Sequence, residues 1–215
     1  MTTKNAIKVL IADDHAIVRE GLKQILADTR DIVVGGHAEN GSEAIKLSRE
    51  GLCDVMLLDI SMPDRSGIEV LKQVRKESPK IAILMLSMHR EDQYAIRSLK
   101  AGAAGYLNKQ SAPAELVNAI RQVAAGRKYV SAALAQELAN QINDNHDTPL
   151  HETLSDREYQ TLTMIASGKT VSDIAADLTL SVKTISMYRS RLLQKMKLRH
   201  NAEITHYAIR NRLVD

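Results

Sequence analysis

Three carboxylates stand next to two short apolar runs in the first third of the chain. Asp13 and Asp14 follow the run at residues 8–12, and Asp59 follows the run at residues 55–58. Three carboxylates at close range cannot all stay ionised cheaply without a cation among them, and hard oxygen ligands favour Mg²⁺. A carboxylate beside Mg²⁺ can accept a phosphoryl group, because the metal neutralises the incoming charge. We therefore predict a magnesium site in which Asp59 is the phosphoryl acceptor.

Two more polar residues follow apolar runs later in the chain. Ser87 comes after IAILML and Lys109 comes after GYLN. A serine hydroxyl can donate a hydrogen bond to a phosphoryl oxygen, and a lysine can place its ammonium group against it. Each residue alone also has an ordinary explanation, since Asp pairs often cap helices and a Lys before a turn is usually a solvated charge. Five such residues at successive strand ends are much harder to obtain by chance, so we interpret them as one site.

A parallel sheet would bring these residues together. Strand-length apolar runs alternate with segments of helical period, at residues 8–12, 32–35, 55–58, 81–86 and 105–107. This order predicts a doubly wound, flavodoxin-like α/β fold with five parallel strands in the order 2-1-3-4-5. The carboxyl ends of such strands lie at one edge of the sheet, where ligands bind. In the first helical segment we expect Ile17, Gly21, Leu22 and Ile25 to form one apolar stripe.

The pattern changes after Gly126. A short helix is predicted over residues 132–142, and the polar stretch after it is typical of a linker. Ser155 and Glu158 have the spacing of a capping box, Ser181 is placed to cap a later helix, and tight turns between short helices predict a four-helix helix-turn-helix domain. We assign residues 1–127 to the first domain, 128–153 to a linker with a short helix, and 154–215 to the second domain.

Basic residues are concentrated in the third helix of the second domain. Residues 181–200 contain six Lys and Arg and no Asp or Glu, in a chain whose net charge is only +3. The bland interpretation is a solvated basic face, but a surface of one charge sign also suits a polyanion. The absence of Trp and Phe disfavours base stacking and hence single strands, so double-stranded DNA is the predicted partner. A helix of this length fits the major groove, and its predicted DNA contacts are Lys183, Thr184, Ser186, Met187, Arg189, Ser190, Arg191, Lys195 and Lys197.

Two sets of motifs resemble known domains. IADDHAIVREGL, MLLDISMPDRSG, MLSMH and GYLNK resemble the receiver domain of two-component response regulators. LSDREYQTLTMIASGKTVSDIAADLTLSVKTISMYRSRLLQKM resembles a LuxR-type DNA-binding domain. Together they are similar to the NarL/FixJ family of response regulators over nearly the whole chain. The resemblance implies a transcriptional regulator that a sensor histidine kinase phosphorylates on Asp59, and not an enzyme beyond its own phosphoryl transfer and slow dephosphorylation.

The resemblance also implies roles for individual residues. The implied Mg²⁺ ligands are Asp14, Asp59 and the backbone carbonyl of Ser61, with Asp13 in a supporting position. The implied phosphoryl sensors are Ser87 and Lys109, and Tyr106 is the aromatic residue that would turn inward in response. In the family the last helix pairs two DNA-binding domains, which implies a homodimer on DNA. Its predicted contacts are Ile204, Tyr207 and Ala208.

Two other classes of protein stay open at this point. A Mg²⁺-dependent phosphatase could use Asp59 as its nucleophile, but such enzymes commonly need a second acid where Ser61 stands. A DNA-binding protein that does not depend on phosphorylation could retain the acidic site unused. No run approaches about 18 consecutive apolar residues, and the amino terminus lacks a basic segment before an apolar one, so we expect a cytoplasmic protein without a membrane partner. The single cysteine, Cys53, excludes an intramolecular disulfide.

Overall fold

The structure is a computed structural model that describes residues 6–88, 92–131, 134–136, 149–211 and 213–214, without the side chains of residues 92 and 93. It divides into two compact units, Met1–Ile142 and Asn143–Asp215. Of the predicted helix at residues 132–142, only residues 134–136 are described, and they are helical. Among the described residues, no helix has both the length and the hydrophobicity to cross a membrane.

The first unit alternates strands and helices. Its elements are β1 (Ile7–Ala12), α1 (Ala16–Ala27), β2 (Ile32–Ala38), α2 (Gly41–Arg49), β3 (Val55–Asp59), α3 (Gly67–Glu77), β4 (Ala82–Ser87), α4 (Asp92–Lys100), β5 (Gly105–Asn108) and α5 (Pro113–Ala124). All neighbouring strands are parallel, and their order is β2-β1-β3-β4-β5. The predicted doubly wound fold is therefore confirmed.

The central strand β3 lies in the core over its whole length. Every residue from Val55 to Asp59 is buried, because helices cover both faces of the sheet and a strand in that position has no solvent side. On one face, Leu57 packs in a cluster with Leu84 of β4 and Ile120 of α5. An apolar strand of this kind holds its last residue, Asp59, at a fixed position at the edge of the sheet.

One part of the predicted helix stripe is wrong. Ile17 is 88 % exposed, whereas Leu26 on the same helix is 1 % exposed. At about 100° per residue, nine positions along a helix amount to about 180°, so these two side chains point in opposite directions. Periodicity alone groups Ile17 with Gly21, and the packing of α1 on the sheet shows that the other side of the helix is the covered one.

The second unit is helical. A 3-10 helix at Leu150–Thr153 precedes α6 (Asp156–Ala166), α7 (Val171–Asp177), α8 (Val182–Met196) and α9 (Asn201–Arg210). The predicted capping box of Ser155 and Glu158 is present at the start of α6, and the Ser181 side chain accepts a hydrogen bond from the Thr184 backbone at the start of α8. These caps satisfy backbone N–H groups that a helix cannot pair internally. The predicted four-helix domain is confirmed.

Candidate acidic site and nucleic-acid interface

The parallel sheet brings the predicted acidic residues to one edge. Asp59 ends β3 and Ser87 ends β4, while Asp13 and Lys109 directly follow β1 and β5. Asp13, Asp59 and Ser87 are at most 2 % exposed, and the Lys109 side chain is 6 % exposed. Asp14 is half-buried beside them. The edge therefore combines buried carboxylates with one buried ammonium group, as the sequence predicts.

Lys109 lies between two of the carboxylates. Its Nζ is 2.7 Å from Asp13 Oδ2 and 2.9 Å from Asp59 Oδ2, and its backbone N–H donates to the Ser87 carbonyl at 2.8 Å. Burial raises the pKa of Asp59 to about 6. Lys109 and a backbone hydrogen bond from Ser61 lower this pKa, whereas the nearby charge of Asp13 raises it further. Burial lowers the pKa of Lys109, but the two nearby carboxylates outweigh that effect and hold the pKa above its usual value.

The carboxylates at this edge have unused ligand atoms. Asp13 Oδ2, Asp14 Oδ1 and Asp59 Oδ2 are buried and accept no well-aligned hydrogen bond from any residue that the structure describes, although Lys109 Nζ lies close to the first and third and His15 Nδ1 lies close to the second. Asp13, Asp14, His15 and Asp59 can each offer one ligand atom within 4.8 Å of the others. Three carboxylates beside the one ammonium group of Lys109 leave an excess of negative charge, which is costly to bury unless a further cation approaches. The residues present therefore fit a hard divalent ion such as Mg²⁺.

Two residues near this edge were not singled out from the sequence. His15 donates its backbone N–H to Asp13 Oδ1 at 2.9 Å, and its Nδ1 lies 2.8 Å from Asp14 Oδ1. Arg19, which is 7 % exposed, donates to the backbone carbonyl of Asp13 at 2.8 Å and pairs with Glu39. The only signal in the sequence was their place in the segment after the Asp pair. Both restrain the turn that carries the two carboxylates.

A close contact of two backbone segments supports Asp59. Gly67, at the start of α3, donates its N–H to the carbonyl of Ile60 at 2.8 Å. A Cβ atom at Gly67 would lie 2.1 Å from the backbone oxygen of Asp59, so only glycine fits there. The loop after Asp59 is also tied to α2, because Asp64 accepts hydrogen bonds from the backbone of Gly41 and Ser42. These contacts fix the turn that follows the predicted acceptor.

The predicted sensor residues lie within the same sheet. Tyr106 on β5 is 1 % exposed and pairs in register with Met85 on β4, two positions before Ser87. Ser61, whose carbonyl is an implied metal ligand, is half-buried two residues after Asp59. The structure thus places Tyr106 inward. The roles of Ser87, Tyr106 and Ser61 stay predictions.

The predicted DNA-reading helix has one apolar and one polar face. Ile185, Leu192 and Met196 are buried in the core of the second unit. The opposite face is formed by Lys183, Ser186, Met187, Ser190 and Arg191, which are all exposed, while Thr184 is half-buried. Lys197 is exposed too, and its left-handed backbone, with φ of 56°, ends the helix. The exposed face therefore carries two positive charges, from Lys183 and Arg191, and its contact with DNA stays a prediction.

Two of the predicted phosphate contacts also hold the second unit together. Lys195 Nζ lies 2.6 Å from Glu158 Oε2 on α6, and Arg189 Nε donates to Asn201 Oδ1 at 2.6 Å. The Glu158 side chain is 3 % exposed, and this burial alone would raise its pKa. Its hydrogen bonds with Lys195 and Ser155 outweigh the burial and hold the pKa below the usual value. The charge of Lys195 is therefore partly offset by a carboxylate on another helix, and its role as a phosphate contact stays a prediction.

The predicted dimer contacts on the last helix need a correction. Ile204 and Ala208 on α9 are fully buried inside the second unit, so neither can contact a second copy. Tyr207 is half-buried, and its hydroxyl lies 3.0 Å from Nδ1 of the buried His151. A unit of this size has few apolar side chains for its core, and the stripe on α9 is used there. Ile209, at 55 % exposed, is the large apolar residue that α9 leaves accessible.

Comparisons with known proteins agree with this two-part architecture. Residues 9–121 match the family model described as the response regulator receiver domain, and residues 152–208 match that of bacterial regulatory proteins of the luxR family. The response regulator UvrY of Escherichia coli strain K12 is 40 % identical over 208 residues, which cover 96 % of this chain and 95 % of UvrY. The response regulator GacA of Pseudomonas aeruginosa PAO1 is 39 % identical over 211 residues, covering 97 % and 98 % of the two chains.

Solved structures give the same result. The response regulator RcsB of Salmonella typhimurium is 28 % identical with a TM-score of 0.65, over 94 % of this chain and 96 % of that one. RcsB of Salmonella enterica serovar Typhimurium, bound to promoter rprA in the presence of the phosphomimetic BeF3-, is 26 % identical with a TM-score of 0.64, over 94 % of this chain and 98 % of that one.

Proposed function

Since the chain belongs to the response regulators that join a receiver domain to a LuxR-type DNA-binding domain, we propose that phosphorylation of Asp59 by a sensor histidine kinase controls its binding to double-stranded DNA. The observation that carries the proposal is the acidic edge, where the carboxylates of Asp13, Asp14 and Asp59 meet and Lys109 is the ammonium group that lies between Asp13 and Asp59. Such a site suits the acceptance of a phosphoryl group better than a purely structural role, because three carboxylates beside one ammonium group leave negative charge that is costly to bury.

The acidic edge would perform the transfer with few groups. Asp14, Asp59 and the backbone carbonyl of Ser61 would hold Mg²⁺, with Asp13 in support. When bound, Mg²⁺ supplies positive charge that offsets the charge of the incoming phosphoryl group. With a pKa of about 6, Asp59 is mostly ionised at neutral pH and can act as the nucleophile. The bond between phosphorus and the kinase histidine nitrogen breaks as the bond to Asp59 forms, and the nitrogen keeps the electron pair.

Lys109 and Ser87 would hold the product. The Lys109 ammonium is already within 2.9 Å of Asp59, so it needs only a small movement to contact a phosphoryl oxygen. The Ser87 hydroxyl lies at the end of the adjacent strand and would donate a second bond. Movement at the ends of β4 and β5 would be transmitted to Tyr106, which lies on β5 beside Met85. The proposed switch is this two-strand segment.

The output would be a change in DNA affinity. Lys183, Ser186, Met187 and Ser190 on the exposed face of α8 would reach base edges, and the basic residues further along the helix would contact phosphates. RcsB has been solved bound to promoter DNA, which supports DNA binding as the output. A homodimer on DNA stays part of the proposal, but its contacts exclude the buried Ile204 and Ala208.

Intact-mass measurement tests the proposal directly. We expect acetyl phosphate with Mg²⁺ to add one phosphoryl group to the native protein and none to the Asp59→Ala variant. Phosphorylation should then change affinity for a selected DNA site about 5- to 150-fold, the range of a typical coupling free energy. An adduct that persists in Asp59→Ala would contradict the assigned acceptor. Equal DNA affinity with and without the adduct would contradict the switch.

A further inference from the structure

A cavity lies at the edge of the sheet opposite the acidic site. Its volume is about 770 Å³, and its wall includes Asp54, Ile81 and Ala104, which come just before strands β3, β4 and β5. Because the strands are parallel, their amino ends lie at the edge away from Asp59. Small-molecule sites in proteins typically measure roughly 300–1,000 Å³, so the cavity has the volume of a ligand site.

The wall of this cavity carries an excess of positive charge. Its cationic residues are Arg49, Arg75, Lys80, Arg127 and Lys128, and its carboxylates are Asp54 and Glu77. Arg49 is neutralised by Glu77, with Nε 2.8 Å from Oε2. The other four cations pair with no carboxylate in the part of the chain that the structure describes. Against the single remaining acid, Asp54, this leaves an excess of three positive charges on one wall.

Two of these cations are held in place by backbone groups. Arg75 on α3 donates to the carbonyl of Pro79 at 2.8 Å, and Lys128 donates to the carbonyl of Ala103 at 2.5 Å. Burial and the positive charge of Arg75 both lower the pKa of Lys128. The two cations therefore repel each other across this end of the unit, and an anion between them would relieve that repulsion.

The rest of the wall is partly apolar, with Ser48 and Ser78 as its uncharged hydroxyl side chains. Pro79, Ile81, Ala104 and Val123 supply hydrophobic surface beside the cations. Cys53 also lines the cavity, but burial raises the pKa of its thiol to about 11, so the thiol is protonated at neutral pH and is a poor nucleophile. The cavity is equipped to bind a ligand with a charged end and a less polar body, and it lacks an activated nucleophile.

We propose that this cavity binds a small phosphate-bearing metabolite of about mononucleotide size. Arg75, Arg127 and Lys128 would surround the phosphate, and the apolar wall would cover the rest of the molecule. Arginine binds phosphate oxygens through two parallel hydrogen bonds, and lysine adds a point charge. A phosphate monoester carries up to two negative charges, which matches the excess of three cations better than a single carboxylate does. The site is separate from the phosphoacceptor edge and does not depend on its chemistry.

The single cysteine of the chain provides a local assay, because Cys53 lies on the cavity wall. Full-length protein without Mg²⁺ would be alkylated with iodoacetamide at constant ionic strength and at about pH 9, where roughly 1 % of a thiol with a pKa of about 11 is ionised, and the rate followed by intact mass. We expect adenosine monophosphate to slow the alkylation saturably and adenosine to leave it unchanged. Half-protection should need about tenfold more adenosine monophosphate, or more, in the Arg75→Gln/Lys128→Gln variant, which loses two charge-assisted contacts.

Matched controls separate this cavity from other basic surfaces. Arg121→Gln removes a cation on α5 outside the cavity, and Lys183→Gln removes one from α8, so both should keep the native half-protection concentration. Arg127→Gln changes a residue on the cavity wall that forms no ion pair with any residue the structure describes, and this variant replaces the double variant if the latter does not fold. Protection by adenosine equal to that by adenosine monophosphate would overturn the proposal. Unchanged protection in both cavity variants would overturn it as well.

Discussion

The substitution Asp59→Asn should stabilise the first unit when no divalent metal is present. Asp59 is 2 % exposed, and burial raises its pKa from 3.8 to about 6. The shift means that the folded structure disfavours the ionised carboxylate even though Lys109 lies 2.9 Å away. Asparagine has nearly the same shape as the protonated acid and carries no charge, so it removes this penalty without leaving a cavity.

The size and pH dependence of the effect follow from the same pKa. Each pKa unit corresponds to about 1.4 kcal/mol, so the rise from 3.8 to about 6 costs about 3 kcal/mol when Asp59 is ionised. Because the folded pKa is the higher one, the unfolded chain loses its proton first and stability falls as pH rises. The penalty is absent below pH 3.8, grows between pH 3.8 and about 6, and is fully present above that. Asp59→Asn should therefore gain up to about 3 kcal/mol at neutral pH and nothing at low pH.

Urea unfolding followed by far-UV circular dichroism measures this gain, and the matched control is Asp28→Asn, which changes an exposed aspartate of the same unit. We expect the midpoint of the first unit to rise in Asp59→Asn and to stay constant in Asp28→Asn. Excess Mg²⁺ should stabilise the native protein and reduce the difference, because it offsets the buried charge. A gain that is the same at every pH, or a loss at neutral pH without metal, would refute the reasoning.

Three further substitutions test other parts of the structure. Gly67→Ala should destabilise the first unit by about 3 kcal/mol and slow phosphorylation, because the new Cβ would lie 2.1 Å from the backbone oxygen of Asp59. A melting temperature equal to that of the native protein would contradict this close approach. Lys195→Met should lower the stability of the second unit by about 1–3 kcal/mol, since it removes the cation that pairs with the buried carboxylate of Glu158. Thermal unfolding measures this loss, and the control Lys197→Met should keep the native stability. Arg191→Gln should weaken binding to all DNA sequences by a similar factor, and it should reduce the salt dependence of binding by about one released ion. Binding titrations at several salt concentrations measure both effects, and a loss of affinity for only one sequence would contradict a phosphate contact.

Local patterns in the sequence predicted most of the fold. The alternation of apolar runs and helical segments predicted the five parallel strands, and the spacing of Ser155 and Glu158 predicted the cap that begins α6. Both signals depend on residues within a few positions of each other, so they can be recognised without the tertiary structure. The cluster of Asp13, Asp59 and Lys109 was also predictable, because in a parallel sheet the carboxyl ends of the strands must meet.

The tertiary structure decided which face of each helix is covered and which charges are paired. Periodicity shows that Ile204 and Ala208 share one side of α9, but the choice between the core and a dimer interface depends on the other helices that pack there. Lys195 and Glu158 are 37 positions apart, and their ion pair exists only because α6 and α8 lie side by side. Sequence spacing specifies neighbours along one element, whereas burial and pairing depend on chain segments that folding brings together from far apart.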